Sequence, residues 1–278
     1  MWKYLLLALA AIAVVALAST LATSWMQSRD AQAAFAQLED AATPPTSVFG
    51  EAMLAGLPEV ARRYFLHAIA LGRPLRTTVS LQMEGQFLLS ESQVYAMAAS
   101  QVLAPPDQFV WIPRMVLGPI EITGSDGLAG GEAWTRFWLN RILPVVNLKG
   151  GSDLARSALT RSAMEAIWSP ASLLPQYGPA WEQTGPDTAR VTFDTGIEPI
   201  ELSLSPDGAV REVVTMRWSD ANADRAFRLQ PFGGTIEAEA TFEGFTIPSR
   251  VRVGNHFGTD DYLAFFRAEI IGADFLPN

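Results

Sequence analysis

"IEAEATFEGF", residues 236–245, sends Ile236, Ala238, Ala240 and Phe242 to one side of an extended chain and Glu237, Glu239, Thr241 and Glu243 to the other. Side chains alternate along a strand, so this two-residue period marks a strand with one face buried and one in water. The Glu243-Gly244 step then supplies a turn. The same alternation returns in "VSLQMEGQF" (79–87), "REVVTMRW" (211–218) and "SRVRV" (249–253). Turn signals at "GSDG" (124–127) and "SPDG" (205–208) fall between such runs. About ten strands of this kind predict a large antiparallel sheet. A sheet that wide must curl, close or pack on something. The expected fold is therefore α+β and mostly β: a large curved antiparallel sheet, a half-open barrel of about ten strands. Helices should cover its concave face.

One long stretch breaks the period. "GGSDLARSALTRSAMEAIWSP" (150–170) reads as a helix, N-capped by Ser152 or Asp153 and stopped before Pro170. On a helical wheel Leu154, Ala158, Arg161, Glu165 and Trp168 share one stripe, while Leu159, Ala163, Ala166 and Ile167 line the opposite side. Arg161 and Glu165 thus lie four apart inside an otherwise apolar stripe. A surface pair in that order contributes only about 0.2–0.5 kcal/mol. A buried pair can instead fix packing register, since burying either charge alone costs several kcal/mol. The third reading is that the pair faces a cavity under the sheet and meets a ligand's polar end. Trp168 and Trp111 are the aromatic candidates for the wall of such a cavity. The candidate ligand-binding residues are Arg161, Glu165, Trp168 and Trp111; no residue is assigned a catalytic or metal-ligating role.

The first residues form a different kind of segment. No charge occurs from Tyr4 to Ser28, and Leu5–Leu21 is almost wholly apolar. Such a run is long enough to cross a bilayer, and neither Ala16-Leu17-Ala18 nor Ala31-Gln32-Ala33 is well placed for signal cleavage. Residues 1–27 are expected to be an uncleaved transmembrane signal anchor. Lys3 before the span favours an inside N-terminus, which puts the rest outside the cytoplasm of a bacterial inner membrane. Residues 28–56, Ala-rich and then broken by "TPPTS", read as stalk and linker, and 57–278 as a single domain opening with the helix "LPEVARRYFLHAI". The chain has no cysteine, which excludes disulfides, thiolate metal sites and a cysteine nucleophile. Its net charge of −9 argues against nucleic acid as a partner.

Five segments, in order, carry a family likeness: "LPEVARRYF" (57–65), "FVWIPRM" (109–115), "DGLAGGEAW" (126–134), "RSAMEAIWSPASLLP" (161–175) and "GFTIPSRVRVG" (244–254). The chain resembles an uncharacterised bacterial family, a domain of unknown function often carried behind an N-terminal membrane segment. Arg161, Glu165, Trp168, Pro170 and the Leu174-Pro175 step match its most recognisable segment. The resemblance implies no activity. It does imply a fold like the half-open antiparallel barrels of lipoprotein-sorting (Lol-type) proteins, whose concave side holds acyl chains.

Motifs for common chemistries are missing. His67 and His256 are the only histidines, and there is no G-x-S-x-G elbow, P-loop or dinucleotide fingerprint. "GSDGLAGG" (124–131) reads as a hairpin loop, and Asp260-Asp261 as an exposed turn. No cofactor is expected. The leading expectation is a membrane-anchored, exported module that binds or carries an apolar or lipid-like ligand. Two alternatives stay open: an enzyme with Glu165 as acid or base and Arg161 as anion clamp, and an anchored scaffold for a partner protein.

Overall fold

A computed structural model of the chain describes residues 1–277. It has three α-helices, α1 (Trp2–Asp40), α2 (Glu59–Ala68) and α3 (Ser152–Met164). The strands are β1 (Thr78–Ser90), β2 (Gln93–Ala104), β3 (Gln108–Leu117), β4 (Ile120–Ala129), β5 (Glu132–Leu139) and β6 (Leu143–Lys149) before α3. After it come β7 (Ala180–Gln183), β8 (Thr188–Thr192), β9 (Ile200–Leu204), β10 (Val210–Ser219), β11 (Arg228–Phe242), β12 (Phe245–Asn255) and β13 (Leu263–Leu276). All thirteen belong to one sheet in the order β6-β5-β4-β3-β2-β1-β13-β12-β11-β10-β9-β8-β7. Two antiparallel meanders thus join along β1 and β13, from Thr78↔Leu276 to Phe87↔Phe266. β6 and β7 remain free edges, so the barrel is open.

The curl follows from one helix. Arg161 of α3 reaches Asp126 on β4, while Ser157, one turn earlier, accepts from Arg217 on β10. In a flat sheet β4 and β10 would be seven strand spacings apart, roughly 33 Å. A single helical turn spans about 5.4 Å, so the sheet must wrap around α3. The inner face carries Val79, Leu81 and Met83 of β1, Phe109 and Trp111 of β3, and Ile247 and Val251 of β12, all in one buried cluster with α2 and the 165–177 turns.

Several expectations are corrected here. The sheet has thirteen strands rather than about ten, because β7, β8 and β9 are only four or five residues long and too short to show a period. Residues 124–127 are the middle of β4 and not a turn. A Cβ on Gly124 would lie 2.8 Å from the Phe137 ring, and one on Gly127 would lie 2.4 Å from the Trp134 ring, so these glycines make room for aromatics on β5. Gly151, at φ 90°, is the N-cap of α3 in place of Ser152 or Asp153. α1 continues unbroken through the expected stalk to Asp40, and Phe49 and Leu54 of the expected linker are buried in the core. The hollow expected beneath the helix is filled. Ala158, Ala163 and Ala166 present so little side chain that the segment settles directly on the sheet.

α1 splits into two lengths. Its apolar window is unburied and long enough to cross a membrane. Its second half lies on the outer face, where Leu38, Ala34 and Phe35 pack against Val102, Val110 and Trp134. Further back, Asp30 approaches Arg136, and Gln27 accepts from Trp138 Nε1 at 2.9 Å while donating to Asn147.

Candidate functional site

Arg161, Glu165 and Trp111 come together on the inner face. Arg161 Nη1 lies 2.5 Å from Asp126 Oδ2, and its Nε lies 2.7 Å from Glu165 Oε1. The second Glu165 oxygen accepts from Gln101 Nε2 at 2.5 Å. The guanidinium also stacks over Phe109 and Trp111, 4.7 and 5.0 Å from their ring centroids. Burial alone would lower the Arg161 pKa, but the two carboxylates outweigh it and raise the group above its ordinary value. The pair therefore belongs to a packed network in which one guanidinium is shared by two carboxylates. Both oxygens of Glu165 are engaged, which leaves the acid–base reading without a free group. Trp168 faces elsewhere: it is buried and donates from Nε1 to the Pro248 carbonyl at 2.9 Å, pinning the turn after α3 to β12.

Trp111 leads outward from this network. Its ring is one link in an aromatic arc across the inner face, Phe137–Trp111–Phe87–Phe265–Phe232, with successive centroids 6.2, 6.2, 5.4 and 6.3 Å apart. Phe266 adds a further contact with Trp111 at 6.1 Å. Phe87, Phe137, Phe265 and Phe266 are only half-buried, although their neighbours deeper in the sheet are fully enclosed. At the end of the arc Arg217 lies 4.8 Å over Phe232 and bonds through Nε to Ser157. Burial draws the Arg217 pKa down to about 10, with the nearby Arg161 acting in the same direction. Among the described residues no carboxylate forms an ion pair with it.

Register shows which end of the curl this arc occupies. Phe87 pairs with Tyr95 and Phe266, Met115 with Met97 and Ile122, and Ile122 with Leu139. The β1–β2, β3–β4 and β5–β6 turns therefore share one end. β5 runs antiparallel to α1, with Trp134, Arg136 and Trp138 meeting Leu38, Asp30 and Gln27 in turn. Continuing that register brings the β5–β6 turn beside Leu21–Trp25, where the apolar run of α1 ends. Leu89, Leu117, Ile142 and Leu143 are exposed on these turns, Leu143 by 58%. Phe87, Phe137 and Phe232 of this arc, and Arg217, were missed by sequence reasoning. Gln101 and Asp126 were missed too, although an amide at an inner-face position of "VYAMAASQVLA" was a readable signal.

Residues 47–268 match a family of unknown function, DUF6544. Comparison with curated proteins finds no similar sequence. Among solved structures, a LolA superfamily protein from Nitrosomonas europaea covers 79% of this chain and 93% of its own, with TM-score 0.43 and 7% identity. A putative outer membrane lipoprotein-sorting protein domain from Vibrio parahaemolyticus covers 78% and 91%, with TM-score 0.41 and 10% identity.

Proposed function

The chain belongs to the DUF6544 family, and we propose that it is a bilayer-tethered module that takes up an apolar or lipid-like molecule at the open end of its curved sheet. The observation that carries this reading is the alignment of three features. The apolar run of α1 ends, the exposed apolar turns gather, and the half-buried aromatic arc opens, all at one end of the molecule. A soluble domain gains nothing by exposing Leu89, Leu117, Ile142 and Leu143 together, whereas a surface held against lipid does. With Lys3 ahead of the span, the domain sits on the extracytoplasmic side of the inner membrane.

Phe87, Phe137, Phe265 and Phe266 are the contact surface in this reading, the buried Trp111 backs them, and Arg161 and Glu165 are positioning residues that hold Trp111 in place. Each methylene buried on such a surface contributes about 0.8 kcal/mol, so half an acyl chain suffices for useful affinity. The test uses the full chain in vesicles containing a phospholipid with a diazirine in its acyl chain. Photolabel should appear on peptides of β1, β5 and β13 as well as on α1, and Phe87→Asp with Phe137→Asp should remove the strand label. Label confined to α1 in the unaltered chain sinks the reading.

A further inference from the structure

On the outer face, a cleft of about 710 Å³ lies between residues 21–32 of α1 and strands β1 to β5. This cleft is separate from the aromatic arc. Three arginines line it, Arg114, Arg136 and Arg141, against one carboxylate, Glu84. In a chain of net charge −9 that is a local reversal of sign. The partners of these cations are loose or incomplete. Arg136 is 88% enclosed by its 12% side-chain exposure, reaches Asp30 only at 3.9 Å, and has a buried Nε with no acceptor. Arg114 holds Glu121 through Nε at 2.7 Å, which leaves its terminal nitrogens free to turn inward. Arg141 is kept at the cleft by a turn in which it and Asn140 are both left-handed, with φ 61° and 46°.

The remaining walls mix neutral polar side chains, Gln27, Gln32 and Gln82 among them, with apolar ones gathered where the apolar run of α1 ends. Leu21 closes the apolar run of α1, and Trp25 and Trp138 stand beside it. Tryptophan favours that interfacial depth, where lipid phosphates also lie. We infer that this cleft is a binding site for the phosphate-bearing head group of a membrane lipid, with Arg136 and Arg141 as its anion contacts. Guanidinium donors meet phosphate oxygens in paired, charge-assisted hydrogen bonds, and the bound head group would lock α1 against the sheet. The inference rests on the tether reading above, but not on ligand uptake at the arc.

Native mass spectrometry of the detergent-solubilised full chain with added phosphatidylglycerol tests it. The unaltered chain should retain one lipid, and Arg136→Gln with Arg141→Gln should weaken retention about tenfold without lowering the melting temperature. Arg141→Gln alone, at an exposed turn position, should give a smaller loss in the same direction. Equal retention by the double variant overturns the site. Displacement by soluble glycerol phosphate at millimolar concentration overturns the lipid source in favour of a free anion. The tether is read separately by alkaline extraction: a chain that stays in the membrane pellet yet keeps its lipid in the double variant overturns this inference alone.

Discussion

Arg161 lies on α3 and Arg217 bonds to the same helix one turn earlier, yet their surroundings are opposite. Arg161 has two carboxylates and two aromatic faces; Arg217 has Ser157, one ring and no ion pair among the described residues. Replacing Arg161 with Met strands Asp126 and Glu165 with their charges nearly buried, and stability should fall by about 3–5 kcal/mol in a urea titration. Arg217→Met removes a cation that burial already disfavours, so it should leave stability unchanged or raise it. The sign follows from linkage. A cation whose folded pKa lies at about 10, below its ordinary value, disfavours folding at lower pH, and that penalty fades as pH rises through the folded value. The advantage of Arg217→Met should therefore be largest near neutral pH and shrink above about pH 10. The Arg161–Glu165 pairing was legible from spacing alone. Asp126 was not, because Gly-Ser-Asp-Gly is also what a turn looks like, and only the Phe137 and Trp134 rings explain the glycines.

α1 shows how one helix can be legible in one half and hidden in the other. Uninterrupted apolarity identifies residues 5–21, while the Ala-rich continuation reads as a stalk with nothing to pack against. Its packing signal was a seven-residue recurrence of Ser24, Ala31 and Leu38, the three buried positions, none of them individually distinctive. The receiving surface depends on Trp134, whose indole donates to Ser125 at 2.9 Å and lies flat over Gly127. Gly127→Ala should push that ring outward, at a cost of about 1–3 kcal/mol for overpacking. Hydrogen exchange should then quicken in residues 28–40 while the strands β10 to β13 keep their protection. Unchanged exchange in 28–40 would mean that α1 is not held by this contact. Strand β6 adds a second outer feature: Leu143, Val145 and Leu148 are exposed along a free edge, with Pro144 the one residue there that cannot extend the sheet.

For the molecule as a whole, alternation in the long central strands made an open antiparallel curl legible, and the covering helices followed from the need to bury its inner face. The count of strands, the filled space beneath α3 and the direction of the open end were not legible. They depend on the joining of β1 to β13 and on how α1 lies along β5, contacts between residues more than a hundred positions apart. Orientation against the membrane is what the functional reading depends on. Because the chain has no cysteine, a single one can be placed and spin-labelled at Leu117, at Leu143, or at Asp107 on the opposite end, with the protein in vesicles. Power saturation should show labels at 117 and 143 relaxed more by oxygen than by a water-soluble nickel chelate, and the label at 107 the reverse. If all three labels respond as water-exposed sites, the open end does not face lipid and the account is contradicted.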